Sequence, residues 1–254
     1  RGYNSGLDYQ TTLLNVDGTP LANTHITLKI GDKKYSLTTD ANGVAKLNKK
    51  IAIGTYNILI INPTNLEKQT KTLKIISRIN NNKNLIGDYL SGLNYKIRII
   101  DDNGKTAGTG KIVKITINKK TYNIPTDKNG YATLKITLTP KTYYITATYK
   151  NQTVKNKITI KQILKTTKTT TIKKSAKKIT LKATLKKSNK KALKNKKITF
   201  KFKGKTYTTK TNKKGIAKIT IKKNVIKKLK IGKTYPVKIT YVKNTITGSV
   251  KIKK

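Results

Sequence analysis

The chain has 254 residues, no cysteine, methionine or tryptophan, and a formal net charge of +49. Its length suggests two or three domains, and the lack of cysteine excludes disulfides and thiolate metal sites. Because His25 is the only histidine, neither a catalytic triad nor a histidine zinc site can be assembled, and we expect no enzyme, cofactor site or metal site.

A short motif that occurs three times organises the chain. It reads TDANGVAKL from Thr39, TDKNGYATL from Thr126 and TNKKGIAKI from Thr211. An alternating run precedes each copy, and a run that opens on a tyrosine follows it. A motif that recurs from Thr39, Thr126 and Thr211 predicts three similar structural units. We therefore place three domains at 1–76, 77–161 and 162–254.

Within each repeat, apolar residues alternate with polar ones. In the second repeat Tyr95, Ile97 and Ile99 alternate with Lys96, Arg98 and Ile100, and in the third repeat Ile198, Phe200 and Phe202 do the same. A period of two marks a strand with one buried face. Several such runs in about 85 residues predict an all-β chain of three tandem immunoglobulin-like antiparallel β-sandwich domains.

The motif itself predicts a tight turn. The side chains of Asp40, Asp127 and Asn212 can accept hydrogen bonds from backbone amides ahead of them, and the glycine that follows tolerates positive φ. Calcium binding is the alternative, but one carboxylate per turn falls short of the six or more oxygens that Ca²⁺ takes. The structural interpretation is therefore favoured.

Tyr56, Tyr143 and Tyr235 each open a late strand of their repeat. This position is typical of a tyrosine corner, in which the hydroxyl bonds to nearby backbone. Stacking of some tyrosines against carbohydrate is the alternative. The third repeat also has an extra segment, Lys222–Gly232, whose apolar spacing predicts a short helix or turn.

Two polar segments, 76–88 and 161–177, separate the repeats and are predicted to be linkers between independent domains. The densest acidic stretch, Asp101-Asp102-Asn103-Gly104, is predicted to be an Asx-type hairpin turn, with a cation site shared with Asp88 as the alternative. A lysine–asparagine isopeptide bond needs a buried acid. No acidic residue follows Asp127, so the third repeat cannot form one by that chemistry.

The net charge rises along the chain, from +5 in the first repeat to +12 in the second and +32 in the third. Lysines at outward strand positions are therefore candidate contacts for a polyanion: Lys182, Lys186, Lys201, Lys203, Lys218, Lys222 and Lys238. An acidic cell-wall polymer, an anionic membrane surface and nucleic acid are the partners to weigh. Arg1, Arg78 and Arg98 are the only arginines, so specific reading of nucleic acid is not expected.

The segments 118–160 and 177–223 resemble the repeats and the lysine-rich closing domain of adhesin-like surface proteins of methanogenic archaea. The resemblance covers nearly the whole chain. It implies an extracellular stalk, exported by a signal peptide that this chain lacks, that adheres to other cells or surfaces. Self-association into fibres is left open as a further contact. The resemblance also implies that the basic end contacts the cell wall. A non-specific binder of polyanions or nucleic acid is the alternative. Asn151 opens a glycosylation sequon, which suits a surface location.

Overall fold

The structure is a computed structural model that describes residues 1–6 and 8–254. The all-β class is confirmed, since the described elements are strands β1 to β22 and one short helix, α1. The chain divides into two compact units, one of residues 1–84, 94–135 and 144–157, the other of residues 85–93, 136–143 and 158–254. The first repeat lies in the first unit and the third in the second, whereas the second repeat contributes to both. The three-domain boundaries stay a prediction.

The first repeat forms two antiparallel sheets, of order β3-β2-β5-β6 and β1-β4. Its strands carry apolar side chains at every second position, so each sheet has one face to bury. Leu28 of β2 and Leu47 of β4 belong to the shared aliphatic core. The strands are β1 (Tyr9–Thr12), β2 (His25–Ile30), β3 (Lys33–Thr38), β4 (Val44–Leu47), β5 (Gly54–Ile61) and β6 (Lys68–Ile75).

The second repeat has sheets of order β12-β9-β7 and β11-β10-β13-β14-β8. The predicted alternation is confirmed, since Tyr95, Ile97 and Ile99 are all buried. Ile100 was expected to be exposed but is buried, because it lies beyond the end of β9 and bridges to Thr106. The strands are β7 (Ile79–Asn80), β8 (Leu85–Asp88), β9 (Asn94–Ile99), β10 (Ile112–Ile117), β11 (Lys120–Pro125), β12 (Tyr131–Lys135), β13 (Thr142–Tyr149) and β14 (Gln152–Lys161).

The third repeat has sheets of order β15-β17-β20 and β16-β22-β21-β18-β19. The predicted short helix is confirmed as α1. Ile226, its last residue, and Leu229, in the turn that follows, are both buried. The elements are β15 (Leu164–Thr166), β16 (Thr169–Lys173), β17 (Lys178–Leu185), β18 (Lys197–Phe202), β19 (Lys205–Lys210), β20 (Ile216–Lys222), α1 (Lys223–Ile226), β21 (Thr234–Tyr241) and β22 (Asn244–Lys253).

The linker prediction for 76–88 and 161–177 was wrong, because both segments form strands. β8 runs parallel to the end of β14, and β16 runs parallel to β22, so each segment pairs with the last strand of a repeat. Ile79 and Leu164 in these segments are buried. The polar composition of the segments misled the prediction, since edge strands need little apolar surface when their backbone is paired.

The predicted turns are confirmed in all three repeats. The Asp40 Oδ1 accepts from the amides of Asn42 and Val44 at 2.9 and 3.0 Å. Asp127 and Asn212 accept from the corresponding amides at 2.8 to 3.0 Å. The glycine of each turn has φ of +71° to +73°. The amide oxygen of an asparagine therefore replaces a carboxylate here without any change of geometry.

The tyrosine corners are confirmed as well. The hydroxyl groups of Tyr56 and Tyr143 donate to the carbonyls of Ala52 and Thr139, both at 3.0 Å. The Tyr235 hydroxyl instead accepts from the backbone amide of Lys230 at 2.8 Å. Each bond ties the start of a strand to the segment before it.

Candidate polyanion-binding surface

The three-stranded sheet of the third repeat places lysines directly opposite one another. Lys182 on β17 faces Lys218 on β20, and Lys178 faces Lys222. All four side chains are exposed, because the residues that alternate with them point into the core. Directly opposite residues have Cβ atoms about 5 Å apart, where like charges repel. The face thus carries two rows of paired positive charge.

The five-stranded sheet carries a second basic face. Lys201 on β18 lies opposite Lys238 on β21, and both are exposed. Threonines fill the neighbouring outward positions, and the hydroxyl groups of Thr240 and Thr245 lie 2.8 Å apart. No acidic side chain occurs anywhere in 162–254, so neither basic face has a carboxylate of its own repeat beside it.

The remaining candidate lysines lie at turns. Lys203 is in the two-residue loop between β18 and β19, and Lys186 forms an isolated bridge with Ala192. The candidate residues therefore fall into separate groups: Lys182, Lys218 and Lys222 on one sheet, Lys201 and Lys238 on the other. Their contact with a polyanion remains a prediction.

Asn151 lies exposed in the tight turn between β13 and β14. The preceding residue, Lys150, has φ of +48°. The hydroxyl group of Thr153, which completes the sequon, lies 2.8 Å from that of Thr148. The side chain is accessible, and glycosylation at this position stays a prediction.

The acidic stretch at 101–104 is a turn, as predicted. The Asp101 Oδ1 accepts from the amides of Asn103 and Lys105 at 3.0 and 2.8 Å. Asp102 instead receives the Lys150 ammonium, whose Nζ lies 2.7 Å from both carboxylate oxygens. Among the described residues, no three acidic or histidine side chains gather as a metal site would require.

Arg78 is a residue that sequence reasoning missed. Only 1% of its surface is exposed. Its guanidinium donates to the Tyr3 carbonyl at 2.5 Å and the Asn4 carbonyl at 3.2 Å, and it pairs with the Asp102 carboxylate. One planar side chain thus joins residues from the predicted first and second repeats. The signal was the use of arginine in a chain that otherwise uses lysine, because only arginine offers a rigid fork of donors.

Electrostatics favour the ionised form of Asp102. Burial opposes its ionisation, but the hydrogen bonds from Lys150 and Arg78 and their charges outweigh burial and hold its pKa below the usual value. The carboxylate is therefore charged at neutral pH. Arg78 and Lys150 thus both pair with the Asp102 carboxylate.

No family model matches the sequence, and no curated protein matches it. Solved structures that resemble it include a Ca²⁺-stabilised ice-binding adhesin of an Antarctic bacterium, with 16% identity and a TM-score of 0.25. That match covers 99% of this chain and 71% of the adhesin chain.

Two further solved structures resemble this chain at the same level. Invasin, a bacterial integrin-binding protein, has 13% identity and a TM-score of 0.24, over 96% of this chain and 55% of its own. Domains 4 and 5 of the S-layer protein SbsC have 12% identity and a TM-score of 0.24, over 92% of this chain and 100% of theirs. Such scores do not transfer a function. In the part of the chain that the structure describes, no helix has the length and apolar character needed to cross a membrane.

Proposed function

We propose that this chain is part of an extracellular surface stalk that adheres to other cells or surfaces, with the third repeat as its electrostatic contact to an acidic polymer of the cell wall. The observation that carries the proposal is the pair of basic faces on a repeat of charge +32 that contains no acidic side chain. The role is structural and adhesive rather than catalytic.

The physics of the faces favours a polyanion as the partner. Cross-strand lysine pairs such as Lys182 with Lys218 repel when free, and a bound chain of negative charges relieves that repulsion. The attraction extends about one Debye length, ~8 Å at physiological salt. Lysine is a compact point charge without the fork geometry that reads bases, which supports a wall polymer over specific contact with nucleic acid.

The test compares two charge-reduced variants of the full chain for binding to isolated cell walls and to DNA over a salt series. The first variant replaces Lys182, Lys201, Lys218 and Lys238 with glutamine. The matched control replaces lysines of the first repeat with glutamine, so that net charge is equal: Lys33, Lys34, Lys68 and Lys71.

We expect the third-repeat variant to leave the walls at lower salt than the control does, because the four charges that it has lost lie on the contact faces. Equal release of both variants would show that only net charge matters and would refute the role of the third repeat. Tighter retention on DNA than on walls, in the same salt series, would favour a general polyanion binder.

A further inference from the structure

A surface cavity of about 300 Å³ opens on the outer side of the five-stranded sheet of the third repeat. Its lining consists of three lysines, one tyrosine, one proline and one glycine: Lys201, Lys203, Gly204, Tyr235, Pro236 and Lys238. Its volume is at the lower end for small-molecule sites. The lining combines positive charge with flat apolar surface, which is the chemistry that an anionic sugar requires.

The tyrosine in this cavity is held rigidly. The Tyr235 hydroxyl accepts from the Lys230 amide at 2.8 Å, so the corner fixes the position of the ring. The Lys203 Nζ lies 5.1 Å from the ring centroid, within cation–π range. Pro236, the next residue, is exposed beside it. The two rings therefore lie next to an amine that an anion can attract.

Lys203 occupies a backbone conformation that its side chain does not favour. Its φ is +46°, and the corresponding loop positions of the other two repeats are Gly31 and Asn118, at +55° and +50°. Glycine and asparagine tolerate this region, whereas other residues pay about 1 kcal/mol or more. Lys119, Lys150 and Lys190 also have positive φ, at +63°, +48° and +64°, so lysine recurs at such turns in this chain. What distinguishes Lys203 is that its turn places it in the lining of the cavity.

A second cavity, of about 250 Å³, adjoins the first through Lys203. Phe202, Lys205 and Lys228 are among its other lining residues. Lys203 therefore lines both cavities, and each cavity is bordered by further lysines. This arrangement suits a ligand longer than one sugar ring that crosses the hairpin.

The first repeat has a cavity of about 320 Å³ at the corresponding hairpin and tyrosine corner. Its lining includes Gly31, Asp32 and Tyr56 together with Lys50. The shared fold thus forms a cavity at this place in both repeats. A carboxylate stands in the loop of the first repeat, whereas the loop of the third has lysine and glycine. Of these two cavities, the one in the third repeat has no acidic residue in its lining.

We propose that the two cavities joined at Lys203 bind an acidic polysaccharide. Its carboxylates contact Lys201, Lys203 and Lys238, while its sugar rings pack on Tyr235 and Pro236. Thr206 and Thr247 lie opposite Lys201 and Lys238 on the neighbouring strands and offer hydroxyl groups to the sugar. The inference rests on the proposed wall contact and names the ligand class and its site.

The test measures binding of the full chain by titration calorimetry at about 0.15 M salt. Polygalacturonate, which has one carboxylate per sugar, is compared with polyglutamate and with mixed-sequence single-stranded DNA. The site variant carries Lys201→Thr, Lys203→Asn and Lys238→Thr, residues that suit their strands and loop. The matched control carries Lys190→Asn, Lys213→Ala and Lys214→Ala, three exposed turn lysines of the same repeat that line neither cavity, so both variants lose three charges.

We expect the site variant to bind polygalacturonate about tenfold more weakly than the control does, a difference of ~1.4 kcal/mol, and polyglutamate to bind the original chain more weakly than polygalacturonate does. An equal loss in both variants would overturn the site while leaving the electrostatic wall contact in place. Equal affinity for polyglutamate would refute the packing of sugar rings. A DNA affinity that exceeds that for polygalacturonate and depends on the same residues would replace the polysaccharide with nucleic acid.

Discussion

In each repeat, one Asp or Asn side chain closes the turn that ends on glycine, through hydrogen bonds to amides a few residues ahead. Asp127 and Asn212 make the same two hydrogen bonds to amides two and four residues ahead. The acceptor oxygen is what the turn needs, and its charge is secondary. The glycine that ends each turn is equally required, since a Cβ on Gly215 would lie 2.5 Å from the Leu185 carbonyl oxygen.

The turn predicts a contrast between two substitutions at Asp127. Asp127→Asn should leave the free energy of unfolding nearly unchanged, because Asn212 already serves in this role. Asp127→Ala should cost about 1 kcal/mol or more, since two amides lose their acceptor. Urea unfolding curves measure both. A similar loss for asparagine and alanine would show that the charge, rather than the acceptor, matters.

Asp8 should be a destabilising residue at neutral pH. It is 2% exposed, one of its carboxylate oxygens lacks a hydrogen-bond partner, and burial raises its pKa above the ordinary value. The folded state thus holds the proton more tightly than the unfolded state does, so the ionised group costs stability above that pKa. Asp8→Asn should raise the Tm at pH 7, and the gain should shrink as the pH falls through the raised pKa and be absent below the unfolded value of about 4.

Asp17 is a control for Asp8, because its pKa is shifted in the opposite direction. Hydrogen bonds from the side chain and backbone of Thr19 lower its pKa, so its contribution to stability is present above the unfolded pKa and is lost as the pH falls through the folded value. Asp17→Asn should therefore lower the Tm slightly at pH 7 and have no effect at acid pH. If both variants shifted the Tm in the same direction, the assignment of the two carboxyl groups would be wrong.

At the scale of elements, the segment around Arg78 joins what the sequence presents as separate repeats. The Gln152 side chain accepts from the Arg78 amide at 2.7 Å, and the Gly2 amide donates to the Asp102 carbonyl at 3.1 Å. A Cβ on Gly2 would lie 2.2 Å from the Asp101 carbonyl oxygen. Close backbone approach and one buried guanidinium thus fix this junction.

Arg78→Lys should destabilise the junction although it keeps the charge. A lysine can reach one acceptor but cannot span the Tyr3 and Asn4 carbonyls and the Asp102 carboxylate together. We expect a loss of about 1–3 kcal/mol and faster hydrogen exchange at the Ile76 amide, which donates to the Arg1 carbonyl. Arg98→Lys, another arginine replaced in the second repeat, is the comparison. Equal effects on exchange at Ile76 would contradict a specific role for Arg78.

The paired lysines predict a second effect at this scale. Lys182→Glu places a carboxylate directly opposite Lys218, which replaces repulsion with attraction worth about 0.2–1 kcal/mol. Lys213→Glu makes the same change of charge in an exposed turn. Thermal melts at low salt should show the larger rise in Tm for Lys182→Glu. A larger rise for Lys213→Glu would show that cross-strand pairing does not govern the repulsion.

For the whole molecule, the net charge of +49 dominates the electrostatics. Among the described residues, the ion pairs involve only Asp40 and Asp102 as acids. The remaining positive charges repel one another and are relieved only by solvent ions or a bound polyanion.

Salt should therefore stabilise the chain. We expect the Tm to rise as sodium chloride increases from about 0.01 to 0.15 M, because the Debye length falls from ~30 to ~8 Å. Polygalacturonate at low salt should raise the Tm further by binding the folded state, whereas neutral dextran at equal mass is the control. A Tm that falls with salt would mean that attractive pairs outweigh the repulsion.

The sequence alone was sufficient for the features that depend on near neighbours in the chain. Period-two alternation predicted the buried faces of strands such as β9 and β18, and the Asp-to-Gly spacing predicted the turns. Both follow from side-chain direction and from hydrogen bonds that span only a few residues. The tyrosine corners and the short helix α1 were predicted for the same reason.

Only the tertiary structure decided what depends on residues far apart. The parallel pairing of β8 and β16 with later strands turned supposed linkers into sheet edges. Arg78 meets Asp102, and the lysines divide between two sheets with a cavity at Lys203, because strand register brings distant positions together. Composition fixed the amount of positive charge, but register and burial determine where that charge lies and what it can bind.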